Sequence, residues 1–200
     1  MRSDIIHVTN SGDGMPEALD QAEAVAGYRT LSSKKAIRLR LLAEEMLGMF
    51  RALSGDAEAD FWIESEGEQY LLHLASETKM TAKKREMLLS ASSDGKNTAA
   101  KGFMGKIRDM FSRVLEPIDD ATPNLFAMGL ASANASGAAL SNEGMLHAEM
   151  WSLSQYKSTL GAGDAEKWDE LEKSVVSRLA DEVKVSIVGD TVELTISAKL

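Results

Sequence analysis

Apolar residues recur along the first third of the chain at two different periods, and the change of period marks the change of element. Asp4–Thr9 reads as a short strand, closed by the turn-forming run Asn10–Gly14. From Pro16 to Tyr28 the spacing is helical, with proline suited to the first turn and Glu17 and Asp20 near the positive end of the dipole. A second helix, capped by Ser32 or Ser33, is predicted to run to about Gly55. Its Leu39, Leu42, Met46, Met49, Phe50 and Leu53 form one apolar stripe. At 100° per residue, Glu45 sits roughly 80° from the centre of that stripe, whereas Glu44 points nearly away from it.

Period two appears in Ala59–Glu64 and Gln69–Leu74, joined across Ser65–Glu68, which is a hairpin pattern with Gly67 supplying the turn. Helices are predicted over Thr81–Ala91 and Phe103–Leu115, separated by a loop at Ser92–Asn97. Between Glu116 and Gly163 the pattern weakens into Pro, Ala, Ser, Gly and Asn, the composition of a lid or insertion, with one further helix over Met145–Leu160. A helix at Glu166–Leu179, capped by Asp164, precedes the strongest hairpin, Val183–Val188 and Thr191–Ile196 around Gly189-Asp190. Helices that do not alternate one-for-one with strands predict an α+β fold. The expected architecture is a two-layer sandwich of 1–200 as one domain, with helices on one face of a mixed, mostly antiparallel sheet.

Composition narrows the chemistry. The 200 residues carry 22 basic and 31 acidic side chains, a formal charge of −9, which disfavours nucleic acid and anionic membranes as partners. With no cysteine there is no disulfide, thiolate nucleophile or Cys-based zinc site. No apolar run reaches the roughly 20 residues of a membrane span, and no signal-peptide pattern opens the chain, so a cytoplasmic location is expected. Eleven methionines against five phenylalanines suggest a plastic core or, less simply, an adaptable contact surface for a protein partner or a second copy. His7, His73 and His147 have no metal-like spacing and are expected at solvent-facing strand positions; no metal site is expected.

The element order, with Ala43–Phe50 ahead of the hairpin, resembles the ATP-binding fold of the GHKL superfamily, which includes histidine kinases and anti-sigma-factor serine kinases. The resemblance implies ATP, with or without magnesium, as the ligand. It also implies Glu45, or second to it Glu44, as the acid that acts on or positions water. In that family an asparagine four residues after the acid holds magnesium. Here Met49 follows Glu45 and Gly48 follows Glu44, and neither is an oxygen ligand for a hard cation. After the hairpin, where the family places an aspartate and glycines that read adenine, the chain has Ser76 and Glu77. The family's glycine-rich lid has its echo in Lys101, Gly102, Gly105 and Lys106, where basic residues enter a helix with free N–H groups. The implied function is a divergent ATP-binding regulatory protein with lost or altered chemistry. Its alternative is a regulatory or dimerisation module that keeps the fold and binds no nucleotide. A third reading is a basic patch over Lys79–Arg85 that binds an acidic partner.

Overall fold

The computed structural model describes residues 1–53, 56–77, 147–161, 174–188 and 190–200, together with positions 107, 165, 169 and 171. The elements are β1 (Ile6–Thr9), α1 (Met15–Tyr28), α2 (Ser33–Arg51), β2 (Glu58–Glu66), β3 (Gln69–Glu77), β4 (His147–Ser152), α3 (Leu153–Thr159), α4 (Val175–Leu179), β5 (Glu182–Val188) and β6 (Thr191–Lys199). The strands form one six-stranded sheet in the order β1-β2-β3-β6-β5-β4. The class is α+β. Every pairing among the described strands is antiparallel, so the parallel component expected of a mixed sheet is not found there.

Alternation decides which face is buried. Phe61, Ile63, Leu72, Leu74, Leu194 and Ile196 are buried, and the register sets them opposite one another as Phe61↔Leu74, Ile63↔Leu72, Leu72↔Ile196 and Leu74↔Leu194. The same core contains Leu39, Leu42, Met46 and Phe50 of α2 and Ala18, Ala22 and Val25 of α1. The small residues of α1 let the two helices pack closely, while α2 carries the bulk. Two anchors fix the direction of α2. Near its start, Arg38 donates from Nε to the Leu179 carbonyl (2.8 Å) and from a terminal nitrogen to the Lys199 carbonyl (3.1 Å). Beyond its end, Asn10 donates to the Leu53 carbonyl (3.2 Å) and accepts from the Ala57 N–H (3.0 Å), just before β2. The helix therefore runs from the Gln69/Lys199 end of the sheet to the Glu77/Thr191 end.

Three elements depart from their predicted form. Met145–Leu160 is not one helix: His147–Ser152 is a strand, paired with β5 from His147↔Val188 to Ser152↔Lys184 with a bulge between Glu149 and Trp151. A free sheet edge offers this segment a full ladder of backbone partners, which outweighs weak helical spacing. Helix begins only at Leu153, where the Ser152 hydroxyl accepts from the Gln155 N–H (3.3 Å). The region expected as a lid thus ends, over 147–161, as part of the sheet and its flanking helix. Second, the helix expected at Glu166–Leu179 is interrupted: Ser174 is extended (ψ 125°) and caps α4 by accepting from Ser177 N–H. Third, α2 ends at Arg51, short of Gly55. The helices predicted over Thr81–Ala91 and Phe103–Leu115 lie outside the described residues, apart from Ile107, which is helical and buried.

Candidate functional site

The acidic pair of α2 divides as its helical angles require. Glu44 is exposed and sits 3.6 Å from Arg40, one turn earlier. Arg40 also pairs with Glu23 of α1, whose hydrogen bond and charge raise the guanidinium's pKa above its ordinary value, with Glu44 adding to the effect. Glu45 is half-buried at the margin of the apolar face. Met49 is 8% exposed and belongs to the core, and Gly48 faces open space. Neither offers an oxygen, so magnesium held between α2's acid and the position four residues on does not fit these side chains. Among the described residues, no three metal-ligating side chains converge.

Ser76 and Glu77 end β3 at the sheet margin that α2 approaches. Ser76 is buried, and its hydroxyl donates to the Glu58 carbonyl at 2.5 Å. Both residues line an open concavity of about 510 Å³ with His7, Asp56, Glu58 and Asp60. His7 lies 3.1 Å from Asp60 and 3.6 Å from Glu58 across the β1–β2 pairing. Four carboxylates around one imidazole make this hollow a poor seat for phosphates on its own, since like charges repel. Its acceptors suit a hydrogen-bond donor such as an exocyclic amine. Glu45 does not line it. Lys101, Gly102, Gly105 and Lys106, the basic half of the expected site, lie outside the described residues, as does the Lys79–Arg85 patch.

The residues that sequence reasoning missed lie on the sheet face turned away from the core, the face that also carries Glu58 and Asp60. His73, expected in solvent, has a side chain only 12% exposed. It stacks flat on Trp62 at 4.7 Å between ring centroids and meets Glu193 through Nδ1 at 2.5 Å. Arg2 covers the Trp62 ring at 4.9 Å, and the indole N–H donates to Glu64 at 3.1 Å. A ladder Arg2–Trp62–His73–Glu193 therefore crosses the sheet. The His73 Nδ1 faces the Glu193 carboxylate, and its Nε2 is buried without a hydrogen-bond partner among the described residues. The hairpin turn held the missing signal, since a two-residue turn at Gly67-Glu68 sets Trp62 opposite His73. Glu193 had no such signal, because β6 reaches β3 only through the tertiary fold.

No helix among the described residues is long and apolar enough to cross a membrane. Comparison with known proteins gave no match: no family model, no curated protein and no solved structure aligns significantly with the chain.

Proposed function

We propose that this chain is a divergent ATP-binding regulatory module of the GHKL type whose nucleotide chemistry is lost or altered. One observation carries the reading. The half of α2 bearing Glu45 and the end of β3 bearing Ser76 and Glu77 approach the same end of one sheet, as the resemblance requires of an acid and an adenine-reading strand end. In this reading Ser76 and Glu77 contact the base, and Glu45 is a fold marker that lacks the partner needed for hydrolysis. The two-layer arrangement of that family and an added contribution from Lys101 to Lys106 belong to the same proposal.

Isothermal titration with ATP, with and without magnesium, tests it. The expected result is binding that is independent of magnesium, without hydrolysis, because Gly48 and Met49 supply no ligand for the ion. Absence of binding at millimolar ATP would remove the nucleotide. A second reading has its own support: Met49 is committed to the core and the Ser76 hydroxyl is committed to the Glu58 carbonyl. In that reading the chain is a regulatory or dimerisation module with no nucleotide, and the blank titration is its expected outcome.

A further inference from the structure

Gly48 sits within a 19-residue helix, exposed, with nothing within 4 Å of the place a Cβ would occupy. Glycine in a helix interior costs about 1 kcal/mol relative to alanine, and no neighbour among the described residues requires it. It is one step of a stripe, Ile37, Leu41, Glu44, Gly48 and Arg51, spaced by four and three residues in the manner of a helix–helix seam. Ile37 is 60% exposed, and Leu41 is half-buried. Among the described residues, the Arg51 guanidinium has no ion-pair partner and Glu44 has only the exposed contact to Arg40. Beside Gly48 the surface is hollowed into a groove of about 410 Å³, walled by Pro16 and Leu19 of α1 and by Arg40, Glu44 and Arg51 of α2.

The charge pattern selects the occupant. Glu44 and Arg51 lie at equal steps on either side of Leu47-Gly48. A two-fold axis there sets Glu44 of one copy against Arg51 of the other, twice, with α2 antiparallel to its mate. A parallel pairing would instead set Glu44 against Glu44. Gly48 at the crossing lets the two backbones approach closely. We infer that this α2 face is a self-complementary interface for a second copy of the chain, with Gly48 as its crossing point.

Sedimentation velocity of the full chain over a concentration series in low salt tests the inference. A monomer–dimer equilibrium is expected, weakening as salt rises. Glu44→Arg and Arg51→Glu should each raise the dimer dissociation constant about tenfold or more, and the doubly swapped chain should recover the wild-type constant. Gly48→Leu should abolish the dimer while circular dichroism shows an intact or more stable fold. A chain that stays monomeric throughout would overturn the inference. So would single swaps without effect, or a double swap that fails to restore association.

Discussion

At Gly14 a single hydrogen atom decides the local path of the chain. Its φ of +73° is left-handed, and an added Cβ would lie 2.0 Å from the His7 carbonyl oxygen. Gly14→Ala is therefore expected to destabilise the fold by about 2 kcal/mol or more, measured by urea unfolding. Gly48 is the opposite case, with ordinary helical geometry and open space around it. Gly48→Ala should stabilise the monomer by about 1 kcal/mol, and a loss of stability would mean that the helix needs glycine there for its own sake. On the outer sheet face, Trp62 and His73 should show a coupling of roughly 1 kcal/mol in a double-mutant cycle; strict additivity would reduce the stack to coincidence. The turn glycines were legible in the sequence, because Asn10–Gly14 and Gly67 stand where a reversal is needed. His73 was misjudged for a physical reason: period two assigns a face, but a large aromatic across the ladder can cover that face.

Among the elements, α3 depends on a residue distant in sequence. Glu182 of β5 accepts from the Ser154 N–H at 3.1 Å in the first turn of α3 and from the Val183 N–H at 3.0 Å. Burial pushes its carboxyl pKa up, but hydrogen bonds from the Ser154 side chain and from backbone N–H groups outweigh this, and the net shift is downward. A pKa below the unfolded value means the contribution is complete above about pH 4.5 and is lost as pH falls through the folded value. Glu182→Gln should cost under about 1 kcal/mol at neutral pH. Its difference from wild type should shrink towards zero in acid, as read from stability curves between neutral and acid pH; a constant difference would exclude the ionic cap. Sequence periodicity located α1, α2 and both hairpins because each carries its own pattern. It misread β4 because strand formation there comes from the open edge of β5, which no local spacing encodes.

The core couples the α2 stripe to the inward residues of β2, β3 and β6, so substitutions there report on helix and strands at once. Leu72→Ala, at a fully buried position between Ile63 and Ile196, should cost about 2 to 5 kcal/mol in chemical denaturation. By itself the sequence determined the α+β class, the hairpins, the helical stripe and the missing cation ligand at Gly48 and Met49, since these follow from periodicity and side-chain chemistry. Tertiary structure alone decided the strand order, the recruitment of 147–152 to the sheet edge, the partner of His73, and the burial of Ser76. Each of these depends on contacts between segments far apart in the chain, where free energy comes from packing and backbone pairing that no local pattern records.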